Sequence, residues 1–138
     1  MTDQKELYAS LMASAVAARE YSYSPYSGYR VGAALLGADG KIYTGCNIEN
    51  AGYSPTNCAE RTAVFKAVSE GAREFTAIAV VGGLGDTLDA ACTPCGVCRQ
   101  VLAEFCEPEM PVILGTPEEM RVLTLGDLLP FAFTKKNL

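Results

Sequence analysis

Two short cysteine motifs constrain how this 138-residue chain can fold. Cys58 lies two residues before Glu60, and Cys95 and Cys98 follow Pro94 with C-x-x-C spacing. Each motif stands where a helix is predicted to begin, and two residues that are three apart on a helix lie on the same face. If the three thiolates bind one ion together, the fold must bring two helix N-termini to one point.

The chemistry open to these residues is limited, because the chain has six cysteines and no histidine. This composition excludes catalytic triads, general bases and metal sites that depend on imidazole. Three thiolates suit Zn²⁺ in a tetrahedral site and leave one position for a water, whose pKa the ion would lower toward about 7. The partial positive charge of a helix N-terminus favours thiolate at Cys58 and Cys95. Glu60 is placed to act as a proton shuttle for that water.

A closed structural site is an alternative, since Cys92 precedes Cys95 by three residues and could add a fourth thiolate. We expect Thr93 to cap the helix and Pro94 to be its first residue, which would leave Cys92 outside the helix. A thioredoxin-like redox pair is a second alternative, but it would leave Cys58 unexplained. A third is packing in the core, the common fate of isolated free cysteines. We expect it for the three remaining cysteines, Cys46, Cys92 and Cys106.

The charge balance excludes several classes of partner. The net charge is −5, the sequence pI is about 4.7, and the 11 lysines and arginines are scattered, so the chain lacks the basic footprint of a nucleic-acid binder. No run approaches the roughly 18 apolar residues of a membrane-spanning helix, and the first segment lacks the layout of a signal peptide. We therefore expect a cytoplasmic protein with no nucleic-acid or membrane partner, folded as a single domain over residues 1–138.

Hydrophobic periodicity and turn residues divide the chain into helices and strands. Helices are predicted over residues 5–21, 58–70 and 95–106, with a final helical turn over residues 124–129. Strands are predicted over residues 29–36, 41–46, 75–81, 111–115 and 120–123, and loops over residues 47–57 and 82–91. Asn57 is expected to cap the second helix and Thr124 the final turn. This order predicts an α/β fold in which a mixed sheet of about five strands carries helices on its faces.

Both cysteine motifs resemble the signature of the zinc-dependent cytidine deaminases of the small, homotetrameric type. That signature has a His or Cys two residues before a Glu, followed later by P-C-x-x-C. Cys58-Ala59-Glu60 resembles its first half and residues 94–98 its second half. Further similarity lies in residues 25–27, 31–36, 45–51, 59–63, 66–71 and 128–130, so the resemblance extends from the first helix to about residue 133. It implies a three-layer α/β/α fold and a homotetramer with active sites at its subunit interfaces.

The resemblance implies hydrolysis of cytidine and 2′-deoxycytidine to uridine and 2′-deoxyuridine, with release of ammonia, in pyrimidine salvage. One Zn²⁺ per subunit would be bound by Cys58, Cys95 and Cys98, and Glu60 would move protons from the zinc-activated water to the base and the leaving amine. A relative that acts on another aminated pyrimidine nucleoside, such as blasticidin S, is the alternative enzyme. A non-catalytic, zinc-stabilised module is the alternative outside the enzymes.

The resemblance also assigns further residues to the site. Asn47 and Glu49 would bind sugar hydroxyls, and the backbone N–H of Ala59 would bind O2 of the pyrimidine. Tyr29 stands where the family usually has the Phe that stacks on the base, and Tyr keeps that π-face. Arg61 would donate hydrogen bonds to the zinc-bound sulfurs. Two aromatic residues would lie at sites shared between subunits, Tyr53 and Phe133.

Overall fold

A computed structural model describes residues 3–138, and the first two residues of the expected domain 1–138 lie outside the described residues. The elements in chain order are α1 (Gln4–Ala18), β1 (Tyr29–Gly37), β2 (Ile42–Cys46), α2 (Ala59–Ser69), β3 (Phe75–Leu84), α3 (Gly96–Phe105), β4 (Pro111–Gly115), β5 (Met120–Thr124) and α4 (Leu125–Leu128). Single 3₁₀ turns follow at Arg19–Tyr21 and Lys135–Asn137. Within residues 3–138, no helix combines the length and the apolar character needed to cross a bilayer.

The strands form one mixed sheet in the order β2-β1-β3-β4-β5. β1 pairs antiparallel with both β2 and β3, β3 pairs parallel with β4, and β4 pairs antiparallel with β5. A parallel pair needs a crossover connection, which α3 supplies between β3 and β4. The predicted α/β fold with a mixed central sheet is therefore confirmed.

Helices cover both faces of the sheet, because side chains alternate along each strand. On one face, Leu11 and Met12 of α1 pack in a cluster with Ala34 of β1. On the other face, Val64 of α2 and Leu102 of α3 join a second cluster. The strand residues of this second cluster include Ala33, Leu35, Ile78, Val80, Val112 and Leu114. The three-layer α/β/α arrangement is therefore confirmed as well.

Helix α2 rests directly on β2 at Gly45. A Cβ atom at this position would lie 2.5 Å from both the carbonyl oxygen of Ala59 and the amide nitrogen of Ala63, which is closer than real Cβ contacts. Any side chain here would push the start of α2 away from the sheet. Gly45 therefore sets the height of α2 above the sheet, and with it the positions of Cys58 and Glu60.

Strand β3 continues three residues beyond its predicted end. The predicted loop over residues 82–91 is wrong at its start, where two consecutive glycines weaken the strand signal. Gly82 pairs with Val31 and Gly83 with Arg30, so the strand extends to Leu84. The hydrogen bonds between β3 and β1 override the low strand preference of the two glycines.

Arg19 holds the chain that follows β3, although the sequence analysis does not single it out. Its side chain is buried, with 2% exposure. Nε donates to the carbonyl oxygen of Arg30 at 3.1 Å, and Nη2 lies 3.0, 2.7 and 3.1 Å from the carbonyl oxygens of Gly83, Gly85 and Thr87. One buried guanidinium thus satisfies carbonyl groups that this tight segment would otherwise leave without partners.

We predict that Gly45→Ala lowers the free energy of unfolding by about 1–3 kcal/mol, because the added methyl group overpacks the contact between β2 and α2. Equilibrium unfolding in urea, followed by circular dichroism, measures this free energy. Gly96→Ala is the control: a Cβ at Gly96 meets no atom within 4 Å. Its free energy of unfolding should change by less than about 0.5 kcal/mol. Equal stability of Gly45→Ala and the wild type would show that the contact does not fix α2.

Candidate active site

The fold brings the three predicted ligand cysteines together where the N-termini of α2 and α3 meet. Sγ of Cys58 lies 3.8 Å from Sγ of Cys95, which lies 3.5 Å from Sγ of Cys98. All three sulfur atoms lie within 4.8 Å of one another, and no other trio of Cys, Asp or Glu side chains within residues 3–138 does so. Cys92 is not part of this group, so the geometry does not support the closed four-thiolate site.

The spacing of the sulfur atoms fits a metal site and not a disulfide. A disulfide needs an S–S distance of about 2.05 Å, and all six cysteines are free thiols. Zn²⁺ held tetrahedrally with Zn–S distances of about 2.3 Å would place its sulfur ligands about 3.8 Å apart. The observed distances of 3.8 and 3.5 Å agree with this value. Three thiolates are also a donor set that selects zinc, so the residues present fit the ion.

Two of these cysteines occupy the N-cap positions of their helices. Cys58 caps α2 and Cys95 caps α3, and neither side chain bonds to the backbone of its helix. The predicted caps, Asn57 and Thr93, are therefore wrong, and Pro94 precedes the helix that it was expected to open. The usual cap signal is a short polar side chain that accepts from the helix backbone. Here the cap side chains point to each other instead and stay free for a ligand.

The thiol cluster favours thiolate at Cys58. The pKa of Cys58 is lowered to about 5, chiefly because the Cys98 thiol donates a hydrogen bond to it, and the guanidinium of Arg61 adds to the effect. Nη2 of Arg61 donates to Sγ of Cys58 at 3.3 Å. The pKa of Cys98 is raised by the same hydrogen bond and by burial. Arg61 therefore lies beside one sulfur atom of the cluster.

Glu60 is the second residue of α2 and lies beside the cysteine cluster. It is only 3% exposed, and burial raises the pKa of its carboxyl to about 7. A carboxyl group with a pKa near neutrality can both hold and release a proton. Its burial at a helix start is unusual for a charged residue and points to chemistry in the adjoining cleft.

A cleft of about 360 Å³ opens beside the cluster and collects most of the predicted site residues. Those that line it are Tyr29, Asn47, Glu49, Cys58, Ala59, Glu60 and Cys95. The sequence analysis gave no binding role to Val31, Thr56, Asn57, Ala91, Cys92 and Thr93, which complete the lining. A larger cleft of about 610 Å³ between α3, α4 and the C-terminal segment contains none of the predicted site residues. The smaller cleft is therefore the candidate active site, because two thiols of the cluster and the buried glutamate border it.

Asn47 is held tightly by its neighbours. Its Oδ1 accepts hydrogen bonds from the hydroxyl of Ser22 at 2.5 Å and from the backbone N–H of Val31 at 2.9 Å. Its Nδ2 donates to the carbonyl oxygen of Tyr29 at 2.8 Å. These contacts use both lone pairs and one N–H of the amide, so one N–H is left for a ligand.

Glu49 is an ionised acceptor at the rim of the cleft. Oε1 accepts from the backbone N–H groups of Tyr26 at 2.9 Å and Ser27 at 3.1 Å, and Oε2 accepts from the Ser27 hydroxyl. These hydrogen bonds, that of the hydroxyl above all, lower the pKa of the Glu49 carboxyl. A carboxylate that is already oriented in this way suits a ligand that presents hydroxyl donors.

Tyr29 contributes an aromatic ring to the lining of the cleft. Its hydroxyl donates to Oδ2 of Asp89 at 3.3 Å, and burial raises the pKa of Tyr29, so the hydroxyl stays protonated. The hydroxyl is thus occupied by Asp89, and the ring face remains available for packing against a flat ligand.

The two aromatic residues expected at shared sites do not join this cleft. Tyr53 is 78% exposed and has a positive φ of 62°, and Phe133 is 61% exposed. Neither lines the cleft of the single chain. Their exposure leaves both side chains outside the packing of the described chain.

Arg99 is a supporting residue that the sequence analysis missed. Its Nε donates to the carbonyl oxygen of Pro94 at 2.7 Å, and its Nη1 donates to that of Leu128 at 2.7 Å. These bonds tie the backbone just before Cys95 to the end of α4. The only local signal was a cation directly after the C-x-x-C motif, which also describes an ordinary solvated side chain.

The prediction that the remaining cysteines pack in the core holds for two of the three. Cys92 and Cys106 are each 8% exposed. Cys46 is only half-buried, because it ends β2 at the last pair of the ladder, where Gly32 is its partner. Cys92 also borders the cleft, so it is a wall residue as well as a core residue.

Comparison with known proteins agrees with this geometry. Residues 5–114 match the family model described as the cytidine and deoxycytidylate deaminase zinc-binding region. The chain is 56% identical over 129 residues to a cytidine deaminase of Sporosarcina psychrophila, covering 93% of this chain and 92% of the relative. A blasticidin-S deaminase of Bacillus cereus is 31% identical, over 78% of this chain and 79% of that protein.

The solved structures agree in fold as well as in sequence. The crystal structure of a cytidine deaminase from Burkholderia pseudomallei superposes with a TM-score of 0.83 and 48% identity, covering 96% of this chain and 100% of that chain. Both the fold and the thiol cluster with its neighbouring glutamate lie within the similarity. The chain therefore belongs to the family of cytidine and deoxycytidylate deaminases with a zinc-binding region.

Proposed function

We propose that this protein catalyses the hydrolytic deamination of cytidine and 2′-deoxycytidine to uridine and 2′-deoxyuridine, with release of ammonia. The observation that carries the proposal is a cleft lined by a buried glutamate and by two of the three thiols that are spaced for zinc. The similarity to proteins named cytidine deaminases supports the choice of substrate. Pyrimidine salvage in the cytoplasm is the physiological setting that we propose.

Cys58, Cys95 and Cys98 are the zinc ligands in this proposal, with one ion per chain. Bound zinc supplies a Lewis acid that makes water a nucleophile near neutral pH. Arg61 offsets part of the negative charge of the three thiolates through its hydrogen bond to Cys58, 3.3 Å long. The N-termini of α2 and α3 offset more of it, because they carry partial positive charge.

Glu60 is the proton carrier in this proposal. Its carboxylate takes a proton from the attacking water and passes it to N3 of the base. It then takes the second proton from the hydroxyl newly bonded to C4 and delivers it to the amine, which leaves C4 as ammonia. Burial of Glu60 beside the cluster keeps bulk water from competing for these protons. A metal site that only stabilises a fold has no need of a buried carboxyl group there, which argues against the non-catalytic alternative.

The remaining walls of the cleft would hold the nucleoside. Asn47 and Glu49 offer an N–H donor and a carboxylate acceptor to the sugar hydroxyls. The backbone N–H of Ala59, at the first position of α2, has no partner within its own helix and would bind O2 of the pyrimidine. Tyr29 offers an aromatic face to the base.

We propose further that the chain is a single domain that assembles as a homotetramer, with active sites at the subunit interfaces. Several large apolar side chains stay exposed in the loops and on the helices, and a contiguous group of such side chains would mark an interface between subunits. They include Tyr53, Phe65, Val97, Phe131 and Phe133. In this assembly Tyr53 and Phe133 would reach the site of a neighbouring subunit.

We predict that Glu60→Gln retains zinc and the fold but lowers turnover of cytidine by at least about 10²–10⁴-fold, because an amide cannot accept and return a proton. Ammonia release measures turnover, and elemental analysis measures zinc. Wild-type protein serves as the control and should act on cytidine and 2′-deoxycytidine, with little activity on cytosine, CMP or blasticidin S. Full turnover by the variant would contradict the role of Glu60, and no ammonia from any of these compounds would overturn the proposed function.

Zinc content separates the three-thiolate site from other arrangements. We predict that Cys95→Ala loses the bound zinc, whereas Cys92→Ala keeps one zinc per chain, because only Cys95 belongs to the sulfur cluster. Cys106→Ala is the matched control, since Cys106 and Cys92 are equally buried at 8% exposure. Loss of zinc from Cys92→Ala but not from Cys106→Ala would support the alternative in which four thiolates bind the ion.

Sedimentation velocity tests the assembly. At micromolar concentration we expect a species about four times the mass of the 14.6 kDa chain. Substituting Phe65, which is 50% exposed on α2, by Glu should shift this species to smaller sizes, because a charge would be buried at the interface. A wild-type protein that sediments only as a monomer would refute the homotetramer and the shared-site roles of Tyr53 and Phe133.

A further inference from the structure

The hydroxyl of Ser27 links two residues of the cleft, the side chain of Glu49 and the backbone of Tyr29, without lining the cleft itself. It donates a hydrogen bond to Oε2 of Glu49. Oγ of Ser27 in turn accepts a hydrogen bond from the backbone N–H of Tyr29 at 3.0 Å. One small side chain therefore connects the carboxylate proposed for the sugar to the residue whose ring is proposed for the base.

The other contacts of Glu49 do not fix its carboxylate by themselves. The backbone N–H groups of Tyr26 and Ser27 both donate to Oε1, at 2.9 and 3.1 Å. Rotation about the terminal torsion moves both oxygens together, and its energy profile is broad, so donors on one oxygen alone restrain the orientation of the carboxylate less than donors on both oxygens. The Ser27 hydroxyl is the contact that holds Oε2, and it leaves about one lone-pair direction of that oxygen for another donor.

We infer that Ser27 is a positioning residue whose hydroxyl orients the Glu49 carboxylate toward the sugar hydroxyls of the substrate. This inference rests on the proposed function, in which Glu49 binds the sugar. It extends that function to a residue outside the cleft and assigns a task to the segment at residues 25–27, whose sequence similarity the proposed chemistry leaves unexplained. Ser27 touches neither the cysteine cluster nor Glu60, so its effect should fall on binding and not on the chemical step.

The test is the Michaelis constant of two substrates that differ only in the sugar hydroxyls. Ser27→Ala should raise KM for cytidine about threefold to tenfold with kcat unchanged, the size expected for one solvent-exposed hydrogen bond. With 2′,3′-dideoxycytidine, which has neither vicinal hydroxyl, the same variant should have the KM of the wild type. Ser27→Thr, which keeps the hydroxyl, should restore the wild-type KM for cytidine.

Ser24→Ala is the matched control. Ser24 lies in the same segment, and its hydroxyl pairs with that of Ser22 at 3.3 Å and not with Glu49. We expect this variant to leave KM for cytidine unchanged. A general loosening of the segment would instead raise KM in both serine variants, or for both nucleosides, and would overturn the inference.

The outcomes also separate this inference from the proposed function. If the wild-type protein releases no ammonia from cytidine, the proposed function fails. If it does, but Ser27→Ala has the KM of the wild type for cytidine, the proposed function stands and the role of Ser27 is refuted.

Discussion

The structure depends on the meeting of two helix N-termini at one cluster of thiols. Two helix starts that face the same point bring together partial positive charges, and negative charge between them offsets the repulsion. Cys58 and Cys95 stand at the cap positions where that charge is most effective. Gly45 lets α2 approach the sheet closely enough for its cap to arrive there, and the crossover through α3 brings the second cap. Glu60, the cleft and the other residues that line it are all arranged around this contact.

Charged side chains that bond to backbone atoms give the surrounding loops their shape. Arg19 donates hydrogen bonds to carbonyl oxygens at and after the end of β3. Arg99 donates to a carbonyl oxygen just before Cys95 and to one at the end of α4. Glu49, in contrast, accepts hydrogen bonds from backbone N–H groups of the turn before β1. Backbone N–H and C=O groups in loops have no partners in a helix or a sheet. Each of these side chains supplies the hydrogen bonds that regular secondary structure would otherwise provide. The walls of the cleft are consequently set by long-range hydrogen bonds and not by local sequence preference.

The difference between local sequence preference and long-range contacts explains which features could be predicted from the sequence. The order of helices and strands follows from hydrophobic periodicity, and the ligand trio follows from motif spacing at helix starts, so both are visible locally. The end of β3 and the two cysteine caps were not predictable in the same way, because pairing with β1 and the contact between sulfurs override the usual signals at Gly82 and at Asn57. Arg19 and Arg99 carry no local signal, since their partners are remote in sequence.

The sulfurs come from two distant parts of the chain, Cys58 from one and Cys95 with Cys98 from the other, and this spacing would make a bound metal ion a cross-link. Cys58 and Cys95 are 37 residues apart, and the segment between them contains all of α2 and all of β3. An ion that joins them closes this segment into a loop and removes part of the entropy of the unfolded chain, as a disulfide of similar span would. The free energy of zinc binding is then also free energy of folding. Availability of zinc would therefore govern how much folded protein a cell maintains, in addition to how much of it is active.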